Sequence, residues 1–158
     1  MMPVDTENHT CPDIPLFAQI TRLRFLRVHA VLGSLGIHPG QYHLLALVAH
    51  AGGMSQSELA TQLYIKPSTL TVMVGRLMKA DLVHRSRDPN DKRILRIYLT
   101  ERGSAVIAEA ISRFTRIEEE TFAGFTDEEM AQFTTFATRI RNNLLKAAES
   151  EGAPCPWF

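Results

Sequence analysis

Residues 85–100 have the sequence Arg85-Ser86-Arg87-Asp88-Pro89-Asn90-Asp91-Lys92-Arg93-Ile94-Leu95-Arg96-Ile97-Tyr98-Leu99-Thr100. From Ile94 to Leu99, one side of the chain is wholly apolar and the other is mixed, which predicts a half-buried strand. A second strand is predicted from about Val83 to Ser86, and the segment Asp88–Asp91 has the residues of a tight turn. The stretch therefore predicts a small basic β-hairpin over about residues 83–99, called the wing below.

A helix with two unlike faces is predicted directly before the wing, over about residues 67–80. Pro67 suits its first position, and its apolar residues share one face at spacings of three and four. The opposite face is small, polar and basic. Upstream, Ser55 and Glu58 have the spacing of a capping box, which opens a short helix. The two helices together predict a helix-turn-helix, with residues 67–80 as its recognition helix.

Longer helices are predicted on both sides of this unit. Helical periodicity runs from Leu16 to about Leu35 and from Pro39 to about Ala51. Thr100 caps a long helix after the wing, and a capping box at Thr126 opens a last one. The predicted fold is mainly α with a small β wing, a winged helix-turn-helix with N- and C-terminal dimerisation helices. We expect a flexible arm at 1–15, dimerisation helices at 16–37 and 101–147, the winged lobe at 38–100 and a tail at 148–158.

The terminal helices have more apolar surface than a domain of this size can cover. The first is apolar on more than one side, and the last has a continuous stripe that includes Phe133, Ile140 and Leu144. A homodimer would cover these surfaces and would place two recognition helices about one duplex turn, ~34 Å, apart. A compact monomer is the alternative.

The charge of the chain is balanced in total but not along its length. Residues 66–96 contain eight basic and three acidic residues, whereas residues 109–151 contain five basic and nine acidic ones. Such asymmetry is typical of a protein with one phosphate-binding surface, although scatter over a solvated surface would also produce it. A basic hairpin beside an exposed helix suits two neighbouring grooves of double-stranded DNA.

Size and composition favour a soluble cytoplasmic protein of one domain. The 158 residues are 45% hydrophobic and 22% charged, which are values typical of globular proteins. No apolar run approaches the ~20 residues that span a bilayer, and the first residues lack the features of a signal peptide. We therefore expect no membrane partner.

The order of these elements and a set of local motifs resemble the MarR (multiple antibiotic resistance regulator) family over about residues 16–147. The motifs are Leu82-Val83-His84-Arg85 with Asp88, then Asp91-Lys92-Arg93, then Leu99-Thr100-Glu101-Arg102-Gly103. Members of this family are homodimeric transcription regulators, most often repressors that a small molecule or oxidation releases. The resemblance implies a ligand-relieved repressor that binds a pseudo-palindromic operator in double-stranded DNA.

The expected DNA contacts lie in the wing, the recognition helix and the helix before it. In the family, the arginine that matches Arg93 enters the minor groove, which suits a planar guanidinium, and the aspartate that matches Asp91 holds it. Contacts to base edges or phosphates are expected from Ser55, Gln56, Ser68, Thr69, Thr71, Val72, Arg76, Arg87 and Lys92. A simple Asp91–Arg93 salt bridge and a solvated helix face are the alternatives.

Two positions depart from the family pattern. Val72 stands where many members have an arginine, so the contact there would be apolar, for example to a thymine methyl group. Asp81 stands where a glycine usually follows the recognition helix, and aspartate tolerates the left-handed backbone of such a turn. The fold is therefore compatible with both residues, while Val72 leaves the operator sequence open.

The sequence indicates neither an enzyme nor a cofactor or metal site. The histidines at 29, 38, 43, 50 and 84 are dispersed, and no serine or cysteine stands in a nucleophile motif. His38 and His43 are five residues apart across a proline, whereas a spacing of four would place two metal ligands on one helical face.

Three hypotheses about signal and class stay open. By the resemblance, a small aromatic or phenolic effector would bind near His38, Tyr42 and Arg85, although core packing of Tyr42 and surface pairing of Arg85 are the alternative. A redox-responsive regulator would instead pair Cys11 with Cys155 of the partner subunit. The third hypothesis, from a different class, is a winged-helix protein-interaction module that does not bind DNA.

Overall fold

The computed structural model describes residues 14–88 and 90–150, and this part of the chain forms six α-helices and three β-strands. The helices are α1 (Leu16–Ser34), α2 (Pro39–Ala51), α3 (Gln56–Gln62), α4 (Pro67–Lys79), α5 (Glu101–Thr121) and α6 (Asp127–Ser150). The strands are β1 (Met54–Ser55), β2 (Val83–Arg87) and β3 (Leu95–Leu99). The predicted fold class, mainly α with a small β wing, is confirmed.

The sheet is antiparallel, with β3 in the centre between β1 and β2. The wing strands β2 and β3 pair over their full five residues. On the other side of β3, Met54 of β1 lies opposite Ile97, and Ser55 lies opposite Arg96. Because Ser55 is also the N-cap of α3, this short edge strand joins the wing directly to the helix-turn-helix.

The hydrophobic core lies where α2 and α3 pack against β3 and α4 packs against α3 and β2. Its fully buried side chains include Leu44, Leu45, Val48, Leu59, Leu70, Val74, Leu77 and Ile97. Burying a Leu, Ile or Val side chain stabilises a fold by roughly 1.5–3 kcal/mol each. The core therefore fixes which face of α4 points to solvent.

The predicted helix caps are present. The Ser55 hydroxyl accepts a hydrogen bond from the backbone N–H of Glu58, and the Glu58 carboxylate accepts one from the N–H of Ser55. Thr126 and Glu129 make the same reciprocal pair before α6. The hydroxyl of Thr100 caps α5. These caps fix the starts of three helices as the sequence predicted.

The structure tests two predictions about helix ends, the turn at Asp81 after α4 and the last residue of α6. Asp81 follows α4 with a φ of 56°, which confirms the left-handed turn expected at this position. The last helix, in contrast, continues to Ser150, beyond the predicted boundary at residue 147. The residues after 146 include two alanines and a glutamate, which are strong helix formers, so the helix continues into the predicted tail.

Several predictions fall outside the described residues. Cys11, Cys155, most of the expected arm and the end of the expected tail belong to residues 1–13 and 151–158. Within the described ranges, no helix has both the length and the apolar composition to cross a membrane.

Gly103 offers a test of how α5 is attached to the winged lobe. A Cβ atom at Gly103 would lie 2.0 Å from the backbone carbonyl oxygen of Leu82, which cannot move without displacing the wing. Gly103→Ala should therefore lower the free energy of unfolding by about 1–3 kcal/mol or more, measured by urea denaturation at fixed protein concentration.

Gly33→Ala is the matched control, because a Cβ at this helical glycine of α1 would meet no atom within 4 Å. This variant should be neutral or more stable by up to about 1 kcal/mol, since alanine favours a helix over glycine. Equal stability of the two variants would contradict the close approach at Gly103.

Candidate nucleic-acid interface

Helix α4 presents a polar and basic face to solvent because its apolar side chains are buried. Leu70, Val74 and Leu77 point into the core. The residues predicted to contact DNA from this helix are all exposed together on the other side, namely Ser68, Thr69, Thr71, Val72 and Arg76. Val72 is 56% exposed and is the large apolar side chain on that face. The face thus combines hydroxyl groups, one methyl-bearing patch and an arginine, which are groups suited to base edges and phosphates.

The N-terminus of α4 is open. Lys66 at the N-cap makes no side-chain cap, so within the described ranges the first N–H groups of the helix have no capping side chain. Open N–H groups at a helix start attract anions. Thr71 is partly engaged, because its hydroxyl donates a hydrogen bond of 2.9 Å to the carbonyl oxygen of Pro67. Thr71 can therefore offer its oxygen as an acceptor, or its methyl group, but not its hydroxyl proton.

The start of α3 differs from the prediction in what it leaves available. The backbone N–H groups of Ser55 and Glu58 are used by the capping box. The hydrogen bond from Ser55 lowers the pKa of Glu58, whose negative charge opposes a phosphate at this position. Gln56 lines a groove of about 450 Å³ between α3 and α4, and its side-chain Nε2 is buried with no hydrogen-bond partner among the described residues. Of the two predicted residues, Gln56 thus has an unused side-chain donor, whereas the backbone N–H and the hydroxyl of Ser55 are engaged in the capping box.

The wing turn is organised by the carboxylate of Asp88, a residue that is only 5% exposed. One carboxylate oxygen accepts hydrogen bonds from the backbone N–H groups of Asn90, at 2.7 Å, and Asp91, at 3.1 Å. The other oxygen pairs with the guanidinium of Arg96. The Arg96 hydrogen bond, followed by the two backbone N–H groups, lowers the pKa of Asp88 to about 2. Asp88 is thus ionised at neutral pH and shapes the turn from inside.

Arg96 connects this turn to the beginning of α3. Its Nη1 atom lies 3.4 Å from a carboxylate oxygen of Glu58 and 3.5 Å from the carbonyl oxygen of Gly53. We call Asp88, Arg96 and Glu58 the wing network. Asp88 belongs to one of the family motifs, whereas the sequence predicts no individual role for Arg96. The available signal was an aspartate at the start of a turn, which commonly binds the backbone two residues on.

Asp91 and Arg93 are arranged differently from the expected side-chain pair. The Asp91 carboxylate accepts a hydrogen bond of 2.9 Å from the backbone N–H of Arg93, so it fixes the main chain and not the guanidinium. Among the described residues, the side chains of Lys92 and Arg93 have no hydrogen bond or ion pair, and the alternative of a simple Asp91–Arg93 salt bridge is wrong. Arg87 donates a 3.0 Å hydrogen bond to the carbonyl of Lys92 and braces the turn.

Comparison with known proteins identifies the family. The model of the MarR family matches residues 37–95. The HTH-type transcriptional regulator YsmB of Bacillus subtilis is 32% identical over 114 residues, which cover 72% of this chain and 78% of that protein. The HTH-type transcriptional repressor MdtR of the same bacterium is 31% identical over 116 residues, which cover 73% of this chain and 72% of the repressor. The chain belongs to the MarR family.

A solved MarR family protein from Bacillus stearothermophilus has the same fold as this one. It superimposes with a TM-score of 0.70 at 28% identity, over 82% of this chain and 91% of that structure. The present chain is therefore a transcription regulator with a winged helix-turn-helix, like the other members of its family, and it is not an enzyme. Within residues 14–88 and 90–150, no group of three His, Cys, Asp or Glu side chains is placed to hold a metal ion.

The three residues predicted to bind an effector occupy different surroundings in this MarR family protein. His38 lines a groove of about 540 Å³ against the recognition helix, and neither Tyr42 nor Arg85 lines that groove. The ring of Tyr42 packs edge-on against Phe114, 5.1 Å between ring centroids, and burial raises the pKa of its hydroxyl. Arg85 lies exposed on β2. The groove at α4 thus includes one of the three residues.

Acidification tests the wing network through Asp88. Its pKa falls from 3.8 to about 2 on folding, so its ionised form stabilises the folded state above pH ~4. That contribution is lost as the pH falls from about 4 towards 2. Asp88→Asn should be less stable than wild type at pH 7, and the gap should narrow below pH 4. Urea denaturation at several pH values measures this, and a gap that is the same at pH 7 and pH 2.5 would contradict the assignment.

Proposed function

We propose that this protein is a homodimeric repressor that binds a pseudo-palindromic operator, with α4 in the major groove and the wing in the minor groove. The observation that supports this most is the wing tip, where Lys92 and Arg93 have no side-chain partner among residues 14–88 and 90–150 and extend from a turn that Asp88 and Asp91 hold. Two adjacent exposed cations at the tip of a hairpin form a local positive charge that attracts an anionic partner. A narrow DNA groove is such a partner.

The recognition helix supplies the second half of the proposed interface. Its exposed groups lie on one face, and its uncapped N-terminus offers N–H groups to a phosphate. Arg76 is exposed in the last turn and would contact a phosphate or a guanine. Arg87 and Ser55 would act mainly by shaping the wing and α3, since their polar groups are engaged inside the protein.

The proposed dimer rests on the apolar surface of the terminal helices. No residue of α6 is buried, and in α1 the single residue Leu32 is buried. Leu16 is 71% exposed and Leu144 is 60% exposed. Phe17 of α1 and apolar residues of α6 line a groove of about 680 Å³. Contiguous apolar surface of this kind is typical of a protein–protein interface, and a second copy of the chain would cover it with the same surface.

Relief by a small aromatic or phenolic compound completes the proposal. The half-buried hydroxyl of Tyr42 and its contact with Phe114 place an aromatic surface between α2 and α5, next to the dimerisation helices. Titration of a preformed protein–duplex complex with benzoate or salicylate tests this part alone. The cytoplasmic location is proposed because the DNA partner is found there.

DNA binding is tested with duplexes selected from a random pool by the wild-type protein. Each phosphate that a protein neutralises adds about −0.9 to the slope of log K against log salt. Arg93→Ala should weaken binding by about 1–3 kcal/mol because it removes the groove contact, measured by fluorescence anisotropy. Arg139→Ala, an exposed arginine of α6, is the control and should bind as wild type does.

Two outcomes would contradict this proposal. A wild-type slope near zero, or no duplex binding at low salt, would favour the protein-interaction module. Unchanged affinity of Arg93→Ala would show that the wing does not enter a groove in the proposed way.

The dimer is tested at the apolar stripe of α6. Ile140→Asp places a charge among apolar side chains that would be buried between subunits, so it should convert the dimer to a monomer in sedimentation velocity experiments. Thr135→Asp adds the same charge on the opposite side of α6 and should remain dimeric. If Ile140→Asp sediments as wild type does, the stripe is not the dimer interface.

A further inference from the structure

The wing network is placed to control the position of the wing as well as its stability. Arg96 lies in the central strand of the sheet, and its guanidinium contacts the Asp88 carboxylate of the wing, the Glu58 carboxylate of α3 and the carbonyl group of Gly53, just before β1. These three acceptors come from two segments of the chain, the wing turn and residues 53–58 at the start of the helix-turn-helix. Besides the strand pairing, Arg96 is therefore a direct connection between the wing turn and the start of the helix-turn-helix.

The charges of the network explain why an arginine is needed there. Asp88 and Glu58 are close enough for each negative charge to oppose the other, and the Arg96 guanidinium lies between them. A guanidinium offers five N–H donors in a planar fork, whereas a lysine ammonium is a point charge on a flexible stem. Without Arg96, the two carboxylates would repel, and the wing turn would lose its contact with α3.

The sheet itself provides a weak alternative connection. The strand β1 contributes two residues, so few backbone hydrogen bonds tie β3 to the segment that precedes α3. A two-stranded hairpin is only marginally stable on its own, and the two residues of β1 add little pairing to it. The side chain of Arg96, which is 28% exposed, supplies the additional constraint.

We infer that Arg96 is a positioning residue for DNA binding, which holds the wing against α3 so that Arg93 and the recognition helix reach adjacent grooves together. This inference rests on the proposed function, because it assigns Arg96 an effect that acts through Arg93. Arg96 itself faces its protein partners and would not contact the DNA.

A double-variant cycle tests this role, with Arg96→Met, Arg93→Ala and the double variant measured on the selected duplex. Arg96→Met should lower the affinity for the duplex about tenfold or more, which is the loss expected when one groove contact is removed. Both substitutions remove the same wing contact. The affinity of the double variant for the duplex should therefore be at most about threefold below that of whichever single variant binds less tightly. If the double variant instead loses affinity by the product of the two single fold-losses, Arg96 acts independently of the wing, and the inference is overturned.

Controls separate positioning from charge and from folding. Arg102→Met removes the same charge from an exposed arginine and should bind within about twofold of wild type. Arg96→Lys retains the charge but not the fork, so it should bind nearly as weakly as Arg96→Met. Full affinity for Arg96→Lys would mean that charge alone matters, and would overturn the inference.

Circular dichroism and sedimentation establish that the variants are folded dimers at the temperature of the assay. If Arg96→Met does not fold, the cycle is run with Arg96→Lys in its place and the same criteria apply. Wild-type protein that binds no duplex would refute the proposed function itself. Wild-type binding together with unchanged affinity of Arg96→Met would refute the positioning role alone.

Discussion

The pairing of the buried Asp88 carboxylate with Arg96 and with two backbone N–H groups is the interaction on which the candidate interface depends. It closes the wing turn from inside, and at the tip Lys92 and Arg93 have no side-chain partner in the part of the chain that the structure describes. The same arginine reaches Glu58 at the start of α3. A buried ion pair of this kind costs desolvation and contributes little net stability on its own. In the inferred positioning role, it fixes one geometry for the wing turn and the start of α3.

A second junction joins this lobe to the terminal helices. The Thr100 hydroxyl donates to the carbonyl oxygen of Asp81, at 2.6 Å, and accepts from the N–H of Gly103. Gly103 allows α5 to approach the backbone of Leu82 more closely than any side chain would permit. The leucine-threonine-x-x-glycine motif therefore attaches the end of the recognition helix to the first turn of α5. In the proposed homodimer, the arrangement of the two subunits would set the distance between their recognition helices through this attachment.

Much of the fold could be predicted from the sequence, because caps and periodicity are local. The capping boxes at Ser55 and Thr126 and the left-handed turn at Asp81 depend on neighbouring residues and were found. The strand β1 was missed because two residues show no alternation. The role of Arg96 was missed because its partners lie 8 and 38 residues away, and only the folded chain brings them together. The resemblance supplied Asp91 as a partner of Arg93, but the structure places its carboxylate on the main chain.

Hydroxyl-radical footprinting of the wild-type protein on a selected duplex tests the central claim most directly. If α4 lies in the major groove and Arg93 in the minor groove of each half-site, the cleavage pattern should have two-fold symmetry. Minor-groove protection should then flank each major-groove site, and Arg93→Ala should remove that flanking protection alone. Protection limited to the recognition-helix sites, unchanged by Arg93→Ala, would contradict the account.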